Sequence, residues 1–133
     1  MRDLEESAWL LRSRVNPLAI SGSLELADGR ISFVLDADSA ADARLDWLEE
    51  RLGTSGLRDR LEAGERMVVF NHPLADCQIS WPLTGGGSQM VVEAPDRHWI
   101  VSHDEPSVTK FAQLIGARRR ARDWKEALAE AGA

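Results

Sequence analysis

Several features that mark secreted, metal-binding or membrane proteins are scarce or missing in this sequence. Cys77 is the single cysteine in 133 residues, so an internal disulfide and a multi-cysteine zinc site are both excluded, and a reducing cytoplasm is the expected compartment. No apolar run approaches the roughly 18 residues of a membrane-spanning helix. The acidic start "MRDLEESAWLL" is not typical of a secretion signal. We therefore expect a cytoplasmic protein without a transmembrane segment.

Positive charge is also in short supply. The formal net charge is −6, from 16 basic and 22 acidic residues, and this disfavours nucleic acid as a partner. Arginine outnumbers lysine 14 to 2, a bias typical of GC-rich bacterial genomes. The length fits one domain over residues 1–133, long enough to bury a core without covalent or metal staples.

The strongest local pattern predicts a β-hairpin within residues 16–36. In "LAISGSLELADGRISFVLD" apolar and polar residues alternate from position 18 onward. Asp28-Gly29 supplies the positive φ angles of a type I′ turn. A two-residue turn at that point pairs Leu24 with Phe33 on the inner face of the sheet.

Helical spacing of apolar residues predicts three further regions. Leu4, Ala8 and Leu11 form a stripe that predicts an N-terminal helix within residues 1–15. A helical hairpin is predicted over residues 39–63, and a C-terminal helical segment over 107–131, with Gly116 separating a looser piece from the final helix. The residues expected on the buried faces of these two regions are Ala41, Leu45, Leu48 and Leu52, and then Ala117, Ala121, Trp124 and Leu128.

Short β-rich runs return between residues 67 and 105. "MVVF", "DCQISWP", "SQMVVEA" and "HWIVSH" predict four more antiparallel strands, which makes six in total. The glycines at 85–87 separate two of these strands. Neither a lysine nor a helix follows them, so we interpret them as a bend between strands and not as a phosphate-binding loop.

The candidate catalytic and metal-binding residues are few. On a regular strand, residues five apart face opposite sides, so His98 and His103 are not expected to share a metal ion, and no metal site is predicted. A small enzyme that uses Cys77, activated by His72 across the turn at Pro73, stays open as an alternative. A lone cysteine beside a strand is more often a small buried hydrophobe. Because the familiar catalytic and nucleotide-binding signatures are missing, we predict no catalytic residue and no cofactor.

Binding residues are predicted at two places. The basic band of Arg118, Arg119, Arg120, Arg122 and Lys125 is the one concentration of positive charge on an acidic protein, and arginine suits phosphate and carboxylate groups. The alternative is that this band is only the solvated face of a helix. Trp47 lies beside the Leu45/Leu48 stripe, whereas the spacing of the other four tryptophans favours the core. The predicted binding residues are Arg118, Arg119, Arg122, Lys125 and Trp47.

The order of these elements resembles the pleckstrin-homology/GRAM domain family. The resemblance lies in "GSLELADGRISFVL", in the antiparallel strands that follow, and in the final amphipathic helix that carries Trp124. It implies an α+β fold: a seven-stranded antiparallel open barrel or sandwich, here with a helical hairpin insert, capped by the C-terminal helix with its tryptophan buried. Phosphoinositide-binding members carry a Lys-x-Arg-type cluster around the first hairpin loop. In the hairpin predicted here, that loop is Ala27–Arg30.

The resemblance implies a non-catalytic binding or interaction module. We expect a protein partner, with an anionic lipid headgroup as the weaker alternative. Anion or acidic-partner binding through the band from Arg118 to Lys125 is a second hypothesis. The oligomeric state is left open by the sequence.

Overall fold

The protein is an α+β fold built on one antiparallel sheet. The computed structural model describes residues 3–12, 19–41, 45–82, 89–95, 97–103 and 111–131. Within these ranges, seven strands form a single sheet with the order β4-β3-β2-β1-β7-β6-β5. The strands are β1 (Leu4–Leu11), β2 (Ala19–Ala27), β3 (Arg30–Leu35), β4 (Met67–Pro73), β5 (Gln78–Ser80), β6 (Gln89–Glu93) and β7 (His98–Ser102), and the α-helices are α1 (Leu45–Leu52), α2 (Leu57–Glu62) and α3 (Phe111–Glu130).

The first element is a strand, and the predicted N-terminal helix is wrong. β1 pairs antiparallel with β2 along its whole length, from Leu4↔Leu26 to Leu11↔Ala19, and Leu10 also pairs with Val101 of β7. The inward-facing row of β1 includes an acidic residue, Glu6, between apolar ones. This carboxylate interrupts the alternation of apolar and polar residues that identifies a strand. The sequence therefore matched the apolar spacing of a helix better than that of a strand. The correction raises the strand count from the predicted six to seven.

The hairpin prediction is confirmed in turn and in register. Leu24 pairs with Phe33 and Ala27 with Arg30 across β2 and β3, and both central residues of the turn have positive φ, 54° at Asp28 and 71° at Gly29. Leu24 and Phe33 are fully buried. The prediction succeeded because turn chemistry and hydrophobic alternation favour the same register.

The sheet curls so that its two halves face each other. In a flat sheet with strands about 4.8 Å apart, β4 and β7 would be separated by about 19 Å. The rings of Phe70 on β4 and Trp99 on β7 instead stack with centroids 5.2 Å apart, which requires strong curvature. The main hydrophobic core lies inside this curl. Its buried residues come from all of β1–β4, β6, β7 and the three helices.

Two of the helices connect β3 to β4, as predicted for residues 39–63. A 3₁₀ turn at Ala37–Ala41 precedes α1 and α2. Leu45 and Leu48 are fully buried as expected, and so are Leu57 and Leu61 of α2. Leu52 is only partly buried, and the side chain of Ala41 lies outside the described residues.

The final helix begins earlier than predicted. α3 starts at Phe111 and continues through Gly116, so the expected break at that glycine is wrong. Ala121, Trp124 and Leu128 are buried as predicted. Residues 107–110, which the prediction also included, lie outside the described part of the chain.

The late strands agree with the predicted runs. β5, β6 and β7 lie within their predicted segments, whereas β4 extends three residues beyond "MVVF", to Pro73. β5 pairs antiparallel with β6, and β6 with β7. The glycines at 85–87 lie outside the described residues, between two strands that are antiparallel as the predicted bend requires. Of the four tryptophans assigned to the core, Trp99 and Trp124 are buried, whereas Trp9 and Trp81 are only partly buried.

Candidate functional site

A pocket rich in arginine lies where the end of β1 meets the helical insert. It has a volume of ≈ 420 Å³ and is lined by Arg12, Trp47, Glu50 and Arg51. Arg12 directly follows β1, and the other three residues lie on α1. Positions 47, 50 and 51 share one side of a helix because they are three and four residues apart. The pocket therefore holds Trp47, one of the predicted binding residues.

Arg51 is held firmly at the edge of this pocket. Its guanidinium lies over the ring of Trp99, with the central carbon 4.6 Å from the ring centroid. It also donates a hydrogen bond to the backbone carbonyl of His98. These contacts leave most of its five N–H donors unused. Arg51 is thus oriented by β7 and retains donors for a ligand.

Two arginines near this pocket repel each other. Burial, and next the repulsion by the Arg97 guanidinium, lower the pKa of Arg51 from its ordinary value; arginine remains charged at neutral pH all the same. Among the described residues, none of Arg12, Arg51 and Arg97 forms an ion pair. Glu50 lines the same pocket without pairing with either of its arginines. A partly buried cation beside a like charge is an arrangement that an anion would stabilise.

Below Arg51, three aromatic rings stack in a row on the inner side of the sheet. Trp99 stacks on Phe70, and Phe70 stacks on His72 with centroids 5.7 Å apart and planes 11° apart. Within the described ranges, the indole nitrogens of Trp47 and Trp99 and Nε2 of His72 are buried and have no hydrogen-bond partner. Buried donors are usually satisfied, and unsatisfied ones often mark a functional site or a missing ligand or water.

The described members of the predicted basic band differ in their contacts. Arg119 and Arg122 are exposed on α3, and the side chain of Arg118 lies outside the described residues. Arg120 donates from Nε, at 3.1 Å, to the carbonyl of His103. The ammonium group of Lys125 lies 5.3 Å from the ring centroid of Trp81. Two members of the band therefore make contacts within the fold, and two extend into solvent.

His103 is the functional candidate that sequence reasoning underestimated. It is fully buried, with Nδ1 2.8 Å from Oε1 of Glu6 and Nε2 3.3 Å from the indole nitrogen of Trp81. The expectation that His98 and His103 face opposite sides is confirmed, because His98 is exposed. No local pattern announces the pairing with Glu6, since the two residues are 97 positions apart.

Cys77 lacks the environment of a nucleophile. Burial, and next the nearby Asp76 carboxylate, raise the pKa of its thiol, whereas a catalytic cysteine needs a lowered pKa. His72 stacks on Phe70, and the side chain of Cys77 contacts the main core. The geometry therefore gives the Cys77–His72 alternative no support.

The described residues contain neither a metal-binding cluster nor a membrane-spanning helix. No group of three or more histidine, cysteine, aspartate or glutamate residues there is placed to hold a metal ion. No helix in the same part of the chain is long and apolar enough to cross a membrane.

Comparison with protein-family models, with curated proteins and with solved structures finds no match for this chain. Of the residues that line the arginine pocket, Trp47 alone was predicted from the sequence. Arg12 and Arg51 are far apart in the chain and are brought to one pocket by the fold, and Arg97 lies near enough to repel Arg51.

Proposed function

We propose that the protein is a non-catalytic binding module, of pleckstrin-homology/GRAM type, that takes a phosphate-bearing anionic group in the pocket of Arg12, Trp47 and Arg51. The observation that carries the proposal is the partly buried, uncompensated charge of Arg51, anchored on Trp99 and the carbonyl of His98. Arginine forks match phosphate oxygens in geometry and charge. A bound phosphate would offset the repulsion between Arg51 and Arg97 that lowers the pKa of Arg51.

The strand order changes which loop corresponds to the first hairpin of that family. With β1 at Leu4–Leu11, the first connection follows β1 and begins at Arg12. The sequence there reads Arg12-Ser13-Arg14, which is similar to the Lys-x-Arg-type cluster of phosphoinositide-binding members. Residues 13 and 14 lie outside the described part, so only Arg12 enters the geometric argument. The seven strands and the buried Trp124 of α3 also support the resemblance.

Glu50 sets a limit on how strongly the pocket attracts anions. Its carboxylate lines the same cavity as Arg12 and Arg51 and repels a phosphate. A ligand whose phosphate contacts the arginines while a hydroxyl donates to Glu50 would satisfy both. A phosphorylated polyol has that chemistry. Trp47 would contact its apolar face.

The proposal is tested by calorimetric titration with a soluble inositol trisphosphate, with uncharged inositol as the control ligand. Replacing Arg51 by glutamine should weaken binding by about 10- to 100-fold, because a hydrogen bond to a charged group is worth about 1.5–3 kcal/mol. Arg12→Gln should weaken it as well, and Glu50→Gln should strengthen it. Higher salt should weaken binding to the parent protein.

The matched control is Arg122→Gln, which removes the same single charge from the exposed face of α3. It should bind like the parent. Loss of binding in this control, with Arg51→Gln unaffected, would move the site to α3 and contradict the proposal. No binding of the inositol phosphate by the parent protein would contradict it as well.

The source of the phosphate is decided by a second measurement. Sedimentation with vesicles that carry a phosphorylated inositol lipid tests a headgroup at a membrane surface. The expected protein partner would instead present a phosphorylated or acidic side chain to the same arginines. Binding to a soluble phosphopeptide without binding to vesicles would favour that partner.

A further inference from the structure

A second polar centre lies inside the fold, at His103 just beyond β7. The His103 side chain has 0% exposure and that of its partner Glu6 has 18%. Nδ1 is 2.8 Å from the Glu6 carboxylate, and Nε2 is 3.3 Å from the indole nitrogen of Trp81. An indole nitrogen can only donate. Nε2 must therefore carry the lone pair, and Nδ1 the proton that is donated to Glu6. The bond from Trp81 requires a neutral imidazole, whereas the bond to Glu6 is compatible with either charge state of the ring.

We propose that His103 is a proton-operated latch that holds Trp81 in place when neutral and releases it when doubly protonated. A second proton on Nε2 would set two N–H donors, those of His103 and Trp81, against each other. The hydrogen bond to Trp81 is then lost, while the bond to Glu6 becomes an ion pair. His103 stays in position and Trp81 moves.

In the described part of the chain, the charged groups around His103 come from two elements. Glu6 faces the ring from β1. From α3, Arg120 binds the His103 carbonyl, not the ring, and the ammonium group of Lys125 lies over Trp81. Trp124 of α3 lies against the imidazole with centroids 6.2 Å apart. Among the described residues, Glu6 is therefore the one carboxylate in contact with the ring.

The release of Trp81 would reshape a groove on the outer face of the sheet. Trp81 and Pro82 line this groove of ≈ 420 Å³ together with Val91 and Ile100. Val91 and Ile100 are direct cross-strand partners, so they form a fixed floor, and the indole is attached to the end of the short strand β5. Protonation of one buried residue would thus change the accessible shape of an exposed groove. This inference is independent of the arginine pocket.

Nitrogen-15 NMR of the full chain tests the latch directly. At neutral pH the long-range proton–nitrogen spectrum should show His103 protonated at Nδ1 and bare at Nε2. On acidification, the Trp81 indole N–H signal should shift upfield with the same midpoint as the second protonation of His103. An Nε2–H tautomer at neutral pH, an indole signal that ignores the titration, or unfolding before His103 titrates would overturn the proposal.

Two variants separate a latch from a merely structural residue. Glu6→Gln removes the charge that favours the imidazolium, so the joint transition should move to lower pH. His103→Gln can still donate to Glu6 and accept from Trp81 but cannot titrate, so the indole transition should disappear. Persistence of the transition in His103→Gln would overturn the latch. If that variant fails to fold, the direction of the Glu6→Gln shift decides.

Discussion

Glu6 occupies an inward-facing position of β1, where a strand pattern calls for an apolar residue. Its charge is tolerated because Nδ1 of the buried His103, 97 positions later in the sequence, lies 2.8 Å from its carboxylate. A paired and hydrogen-bonded carboxylate can be buried at modest cost, whereas an isolated one cannot. The pairing of such a residue is not visible in the local sequence. The surroundings also determine the thiol reactivity of Cys77 and the tolerance of position 22 to a side chain.

The Cys77 thiol should react slowly at neutral pH. Its pKa is raised first by burial and then by the Asp76 carboxylate, so the reactive thiolate is a smaller fraction than in an ordinary cysteine at the same pH. Alkylation by iodoacetamide should speed up only at a pH above the usual range. Asp76→Asn should move the midpoint of that profile downward, and His72→Ala should leave it in place. Rapid alkylation of the parent at pH 7 would revive the Cys77–His72 enzyme hypothesis.

Gly22 should not tolerate a side chain. A Cβ at this position would lie 2.6 Å from a ring carbon of Phe33 and 2.7 Å from the backbone carbonyl of Val34. The ring can shift but the carbonyl is fixed by the sheet, so Gly22→Ala should destabilise the fold by about 1–3 kcal/mol. Urea denaturation measures this cost.

Gly116 provides a control, because alanine there should raise the free energy of unfolding and not lower it. It lies within α3, and among the described residues a Cβ there would meet the guanidinium end of Arg120, at 3.4 Å. Gly116→Ala should stabilise the protein by up to about 1 kcal/mol through helix propensity. Equal effects of the two substitutions would contradict the packing described around Gly22.

At the scale of elements, α3 shows how an amphipathic helix is attached to a curled sheet. Its buried face carries Trp124 and Leu128 into the main core, and Arg120 fixes it to the end of β7 through the carbonyl of His103. The charged residues on the other face extend into solvent. The apolar face should therefore carry the stability of this helix, and the basic residues very little.

Trp124→Ala should cost about 3–5 kcal/mol, the range for large aromatic deletions in a core. That is a large share of the roughly 5–15 kcal/mol that stabilises a domain of ordinary size. Arg122→Gln, two positions away and exposed, should leave the denaturation midpoint almost unchanged. The two melts measured side by side check the attachment of α3. A Trp124→Ala protein as stable as the parent would show that the helix does not contribute to the core.

The whole molecule is held together through β1. This strand lies at the centre of the sheet order, and it joins the β4-β3-β2 half to the β7-β6-β5 half. Its pairing with β2 covers all eight of its residues, and its pairing with β7 covers Trp9, Leu10 and Leu11. The stacking of Phe70 on Trp99 depends on both halves being joined in this way.

A chain that lacks residues 1–11 should therefore lose cooperative folding. Both halves of the sheet would gain an unpaired edge, and Glu6 would no longer compensate the buried His103. Circular dichroism during urea denaturation should show no sigmoidal transition, whereas a chain that starts at Asp3 should unfold like the parent. A cooperative transition in the shorter chain would contradict the central role of β1.

Elements whose signals are local could be predicted from the residues alone. The β2–β3 hairpin followed from Asp28-Gly29 and from strict alternation, and the helical insert followed from leucines at helical spacing. Each signal lies within one short segment of the chain, where backbone preference and side-chain pattern favour the same structure. The buried Trp124 followed for the same reason, because its apolar neighbours recur along one face of a single helix.

The strand at residues 4–11 and the arginine pocket both depend on contacts between distant parts of the chain. Glu6 fits a strand because His103 is close in space. Arg12 and Arg51 line one pocket, with Arg97 near Arg51, because β1, α1 and the β6–β7 connection converge. The signals for these features are contacts between residues far apart in the chain. Such contacts leave no periodic trace in the sequence, since each depends on the curvature of the sheet and not on the residues beside it.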